Sequence, residues 1–224
     1  MQRPLIPLQA DGVPWRLPLP GADVVYDATA FAARADALLV ALRDEIPWEQ
    51  HRLRLFGREV AAPRLSCWIG DADATYTYSR TRFVPRAWTP VLAALRDELA
   101  ERFELRFNSV LANLYRDGRD STGWHSDDEP ELGDEPVIAS LSFGATRRFR
   151  FRSRETRKAA MAIELAHGSL LVMRGGTQRL YQHDLPKVAS VAELRLNLTF
   201  RRILVSPLSG AATLRHPSES RDPF

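Results

Sequence analysis

Residues 137–153 read VIASLSFGATRRFRFRS. Two alternating runs, Ile138 to Phe143 and Arg147 to Ser153, stand on either side of a Gly144-Ala145 break. In an extended chain successive side chains point to opposite faces, so each run reads as a strand with a face of its own to bury. The same period-two pattern recurs in RFNSVLANLYRDG (106–118), MAIELAHGSLLVMRGG (161–176) and LRLNLTFRRI (194–203). Short strands separated by Gly and Asp turns predict an antiparallel double-sheet jelly roll. Two helices precede it. One follows Asp27 through FAARADALLVALRDE and stops before Pro47; the other has Thr89 as N-cap and Pro90 at its first position, running through VLAALRDELAERF. The expected class is α+β: a double-stranded β-helix (jelly-roll) core with N-terminal helices packed on one sheet.

Composition sets the outer limits. At 224 residues, 45% hydrophobic and 26% charged, the chain matches ordinary globular usage and has the length of one domain. Both ends are rich in proline, which predicts an irregular N-terminal arm over 1–21, a folded unit over 22–205 and a C-terminal tail over 206–224. No apolar run approaches the roughly 18 residues of a membrane helix, and the N-terminus lacks an export-signal pattern. The expectation is an unexported, intracellular monomer: cytoplasmic in a bacterium, with the nucleus open otherwise. A lone cysteine, Cys67, excludes an internal disulfide framework and a cysteine-rich zinc module. Any metal must be held by histidine and carboxylate.

Three strands place polar groups on one face. In RLNLTFR, Arg195, Asn197, Thr199 and Arg201 share a side while Leu196, Leu198 and Phe200 share the other. Such a row also occurs on a solvated surface strand; two guanidiniums at its ends equally suit a small dicarboxylate, which guanidinium binds in a fixed bidentate geometry. Asn113 and Tyr115 repeat the logic. Tyr76 and Tyr78 share a face in TYTYS, either as cross-strand packing or as a platform for a flat ring. Seven cations fall within residues 147–158, Arg148 and Arg150 among them. That is a basic face for a polyanion or a charged edge strand.

The stretch TGWHSDDEP (122–130) contains His125 and Asp127, which an extended backbone points the same way. A third ligand has to come from elsewhere, and His183 in YQHDLPK is the best candidate; His167, within an apolar strand, reads as structural. Two histidines and one carboxylate with open positions suit non-haem Fe(II) oxygenases, and also permit a zinc hydrolase.

Taken in order, NLY (113–115), WHSDDE (124–129), IASLSFGATRRFRFR (138–152), LAHGSLLVM (165–173), His183 and RLNLTFR (195–201) resemble the AlkB-type dioxygenases, which use Fe(II) and 2-oxoglutarate to dealkylate nucleic acid bases. The resemblance spans about Leu53 to Ile203. TYTYS preceded by Gly70-Asp71-Ala72, and Leu55-Phe56-Gly57, are most similar to the DNA-repair branch. It implies that His125, Asp127 and His183 bind Fe(II) and carry catalysis with O2. Arg195 and Arg201 would hold the two carboxylates of 2-oxoglutarate, in a pocket lined by Asn113, Tyr115, Asn197 and Thr199. Tyr76 and Tyr78 would contact a flipped base, with Phe56 filling the gap left in the duplex. Asp128 would attract cationic 1-methyladenine or 3-methylcytosine, and Arg148 and Arg150 phosphates. The implied outcome is DNA repair by oxidative demethylation, releasing succinate, CO2 and formaldehyde. Rival readings are a related dioxygenase acting on RNA or another substrate, and a jelly-roll binding module without catalysis.

Overall fold

A computed structural model of the chain describes residues 13–55, 58–74, 76–78 and 81–204, with backbone alone at 53–55, 58, 76–78 and 81–83. The large sheet has seven strands, ordered β1 (Trp15–Arg16), β2 (Ala22–Asp27), β13 (Ser169–Gly175), β10 (Ile138–Gly144), β15 (Arg195–Arg201), β8 (Ser109–Tyr115) and β5 (Leu65–Gly70). The small sheet has four, ordered β12 (Ala159–Leu165), β11 (Arg147–Ser153), β14 (Tyr181–Leu185) and β9 (Thr122–His125). Every strand pair within these two sheets is antiparallel, giving the predicted jelly roll. Two hairpins stand apart from these sheets: β3 (Arg52–Leu55) with β4 (Arg58–Ala61), and β6 (Tyr76–Tyr78) with β7 (Thr81–Phe83).

Both expected helices form. Helix α1 (Ala35–Glu45) follows a single 3-10 turn at Ala32–Arg34 and ends at Ile46, before Pro47. Helix α2 (Pro90–Phe103) starts as the sequence predicts: the Thr89 hydroxyl accepts from Leu92 N, and Pro90 occupies a position whose N–H would have no helical partner. Leu42, Leu92, Leu95 and Leu99 from these helices join Ala139, Leu141, Phe143, Leu196, Leu198 and Phe200 of the large sheet in one buried cluster. The helices thus cover one face of that sheet. A second cluster, with Leu171, Met173, Phe151, Ile163 and Tyr181, fills part of the space between the two sheets.

The irregular arm expected over 1–21 begins its structured part earlier. Trp15 pairs with Tyr26 and Arg16 with Val25, and Leu17 and Leu19 are buried. Prolines at 14, 18 and 20 limit β1 to two residues at the sheet edge, where a missing N–H costs no ladder bond. The predicted tail, 206–224, lies outside the described residues. No described helix is long and apolar enough to cross a membrane.

Candidate metal and co-substrate site

Strands β9 and β14 are neighbours, and their register sets His183 opposite His125. His125 ends β9, and Asp127 follows two residues later. The three side chains converge: the Nε2 atoms of His183 and His125 are 3.1 Å apart, His183 Nε2 is 3.6 Å from Asp127 Oδ2, and one ligand atom from each residue lies within 4.8 Å of the others. Ligands about 2.1 Å from one ion and at right angles to each other stand about 3 Å apart, so the spacing fits a single divalent cation. His125 Nδ1 lies 2.8 Å from the Gly123 carbonyl, so Nδ1–H donates there and Nε2 keeps its lone pair for the cluster.

Neighbouring groups fix these ligands. Asp127 N donates to Gln178 Oε1 (3.0 Å), whose amide nitrogen in turn reaches Met173 Sδ (3.5 Å). The Asp127 carboxylate accepts from Arg201. Phe149 stacks on the His183 ring at 5.1 Å and 26°. Ser126, between the two ligands, turns away and donates to the Tyr181 carbonyl at 2.9 Å. Burial, then the neighbouring His125, pushes His183 down to about 3, and burial likewise lowers His125. Burial alone would raise the Asp127 carboxyl, but Arg201 and the two imidazoles outweigh it and hold it below its usual range. At neutral pH the cluster therefore has two neutral imidazoles and one carboxylate, each in the state that ligates a metal.

The polar row on β15 faces inward, between the sheets. All seven residues of the strand are buried, because β15 lies between β10 and β8 in the large sheet and under helices on its other face. Cross-strand register brings Arg195 opposite Tyr115 and Asn197 opposite Asn113. Arg195 Nη2 donates to Ser142 Oγ (2.8 Å), and its guanidinium lies over the Tyr115 ring at 5.2 Å. Asn197 donates to Ser140 Oγ (2.9 Å) and to the Leu141 carbonyl (2.8 Å), while Thr199 donates to Asn197 Oδ1 (3.2 Å). Tyr115 and Thr122 share a hydroxyl–hydroxyl bond of 2.7 Å.

One pocket is lined by His125, Asp127 and His183 together with Asn113, Tyr115, Arg195, Asn197, Thr199 and Arg201. Its Arg195 end calls for an anion. Arg195 is 2% exposed, burial depresses its pKa to about 10, its Nε has no hydrogen-bond partner, and no carboxylate pairs with it among the described residues. A cation buried without a counter-charge is costly, and a ligand carboxylate removes that cost. Arg201, tied to Asp127, marks the metal end, so the pocket suits a short dicarboxylate that reaches from the metal to Arg195.

The residues expected to meet a larger substrate are less uniformly placed. Tyr76 and Tyr78 sit on the β6–β7 hairpin, opposite Phe83 and Thr81, where only the backbone is described; Phe56 lies outside the described residues. Asp128 is bound by Arg154 at 2.5 Å. Arg150 is committed to the buried Asp184 through Nε at 2.8 Å and a second contact from Nη2, and lies over Trp124 at 5.1 Å. Arg148 is half-buried opposite Glu164. His167 is structural, as expected: its Nδ1 accepts from Gly144 N at 2.8 Å.

Sequence reasoning passed over Arg64, Ser142, Phe149 and Gln178. Arg64 lines the pocket and donates to Asn113 Oδ1 at 2.8 Å, although it lies in a loop with no period to reveal it. Ser142 and Phe149 were legible as members of alternating strands, and the facing of those strands was the missing fact. Gln178 sits in a four-residue helix, α3 (Thr177–Leu180), whose sequence TQRL gives no signal.

Comparison with known proteins agrees with this geometry. The profile of the 2OG-Fe(II) oxygenase superfamily matches residues 24–201. The rat "Alpha-ketoglutarate-dependent dioxygenase alkB homolog 3" is 45% identical over 195 residues, covering 82% of this chain and 64% of the rat protein. The chain thus spans a little under two thirds of that relative. The human "DNA oxidative demethylase ALKBH2" is 39% identical over 206 residues, covering 87% of this chain and 79% of the human protein. A solved structure titled "The structure of OsALKBH1" superposes with a TM-score of 0.55 at 19% identity, covering 85% of this chain and all of that one, a likeness of fold.

Proposed function

The chain belongs to the 2OG-Fe(II) oxygenase superfamily, and from that premise we propose that it is a DNA-repair enzyme that oxidatively removes methyl groups from base nitrogens, 1-methyladenine and 3-methylcytosine being its substrates. The observation that carries the reading is one pocket that joins His125, Asp127 and His183 to the Arg195–Arg201 row. Two relatives bear names that state an alpha-ketoglutarate-dependent dioxygenase and a DNA oxidative demethylase.

His125, Asp127 and His183 would hold Fe(II), which with O2 and 2-oxoglutarate would supply the two-electron oxidation of a methyl C–H bond, with succinate and CO2 as co-products. The hydroxymethylated nitrogen then releases formaldehyde and the unmodified base. The chain's own residues supply position and polarity. Arg201, bound to Asp127, would orient the near carboxylate of the co-substrate, and Arg195, lying over Tyr115, would receive the far one. Leu111, Phe149 and Met173 keep the pocket walls apolar beside the metal.

A base inside a duplex is out of reach, so it must be extruded. A lesion that blocks pairing lowers that cost of a few kcal/mol. Tyr76 and Tyr78, on a hairpin separate from the two main sheets, are the stacking candidates, with Phe56 as the wedge. Asp128 would meet the positive charge of the methylated base, and Arg154 must then release it. Arg148 and Arg150 are assigned to phosphates, Arg150 while still held by Asp184. The unit carrying this activity is residues 22–205, extended to Trp15 by β1, acting as a monomer.

The test is formaldehyde release from methylated single- and double-stranded oligonucleotides, with Fe(II) and 2-oxoglutarate, for the native protein and His125→Ala. Release that depends on both additions and disappears in the variant supports the reading. Equal release by the two proteins refutes the metal assignment, and a preference for methylated RNA refutes the substrate assignment.

A further inference from the structure

Arg147 is 1% exposed, lies at the start of β11 and is not part of the pocket lining, yet its guanidinium sits over the Tyr115 ring at 5.9 Å. The same ring carries Arg195 at 5.2 Å. Two buried guanidiniums thus share one aromatic ring, which attracts each through its quadrupole. Arg147 also donates to three carbonyls: Asp120 (2.9 Å), Pro186 (2.7 Å) and Asp117 (3.3 Å). The first and third belong to the β8–β9 loop, the second to the segment after β14.

Those two segments are interlocked at Gly118. Its N–H donates to the Val191 carbonyl and its carbonyl accepts from Val188 N, both at 2.8 Å. A Cβ at Gly118 would lie 1.8 Å from the Val188 oxygen, so the approach needs glycine. Thr122 and Leu185, next to the clamped segments, line the pocket, and Thr122 holds the Tyr115 hydroxyl. Arg147 therefore ties the β8–β9 loop, the segment after β14 and the Tyr115 ring together at the Arg195 end of the pocket while standing outside it.

We propose that Arg147 is a positioning residue for the co-substrate: by binding the two loops and lying over Tyr115, it holds Tyr115 and Arg195 where the far carboxylate of 2-oxoglutarate is received. This rests on the co-substrate assignment made above. It assigns Arg147 a role in choosing a dicarboxylate over a monocarboxylate, distinct from metal binding and from chemistry.

The experiment is calorimetric titration of the Mn(II)-loaded full chain with 2-oxoglutarate and with 2-oxovalerate, which has the same carbon count and no far carboxylate. The native protein should prefer 2-oxoglutarate by roughly a hundredfold, the worth of a buried charge-assisted contact. Arg147→Met should weaken 2-oxoglutarate about tenfold and leave 2-oxovalerate and Mn(II) affinity unchanged. Arg147→Lys keeps the charge without the planar fork, so it should narrow the preference part of the way, and it carries the same comparison if the methionine variant fails to fold. A parallel fall for both oxo acids, or an unchanged preference, overturns the role of Arg147 alone. A native protein without preference for the dicarboxylate overturns the assignment of Arg195 as well.

Discussion

Replacing Arg195 with methionine should change co-substrate affinity and metal-free stability in opposite directions. The guanidinium is buried against Ser142 Oγ and Tyr115, both neutral, with the Arg147 guanidinium over the same ring and no paired carboxylate among the described residues. Burial, with the Arg147 guanidinium nearby, depresses the Arg195 pKa to about 10 even after the favourable contacts with Tyr115, a net penalty on the charged form. Methionine has similar length and no charge, so the metal-free protein should gain on the order of 1 kcal/mol, the low end of what replacing buried charged groups by apolar residues yields. The co-substrate loses its far anchor. A carboxylate about 4 Å from a guanidinium at an effective dielectric near 20 gains about 4 kcal/mol gross. Allowing for incomplete realisation, 2-oxoglutarate should bind roughly 30- to 1,000-fold more weakly. Urea denaturation of the metal-free protein and calorimetry of the Mn(II) form measure the two effects. A loss of more than about 2 kcal/mol in stability, or a 2-oxoglutarate affinity unchanged within about threefold, would refute the charge argument.

Gln178→Leu removes the acceptor of Asp127 N without touching a ligand atom, and Mn(II) affinity should fall about 10- to 100-fold at unchanged far-UV circular dichroism. Gly118→Ala forces a Cβ into the Val188 carbonyl and should cost on the order of 3 kcal/mol, read as a lowered urea midpoint. Asp127→Ala leaves Arg201 without its buried carboxylate; the metal-free protein should lose about 3–5 kcal/mol in the same assay, together with metal binding. For Phe56→Ala, the ratio of duplex to single-strand demethylation should drop, and an unchanged ratio removes the wedge assignment.

Much of this was legible because period-two alternation is a strictly local signal. RLNLTFR already groups Arg195, Asn197, Thr199 and Arg201 on one side, and HSD sets His125 with Asp127 and apart from Ser126, since an extended backbone allows nothing else. Thr89 followed by Pro90 likewise marks the start of α2 through backbone groups within one turn. Alternation cannot say which side is buried. RLNLTFR reads equally well as a solvated surface strand until β10 and β8 flank it, the helices cover its leucines and the small sheet encloses its arginines.

The sequence by itself therefore determined the strand pattern, the helix starts, the ligand types and the two-arginine row. Tertiary structure decided what each row faces. It set His183 opposite His125 across β14 and β9, committed Arg150 to Asp184 and Asp128 to Arg154, and brought Arg64 to Asn113, Arg147 to Asp120 and Gln178 to Asp127 from 49, 27 and 51 residues away along the chain. The physical reason is range: backbone geometry fixes neighbours within a few residues, whereas burial and charge pairing depend on contacts that exist only after the sheets have closed.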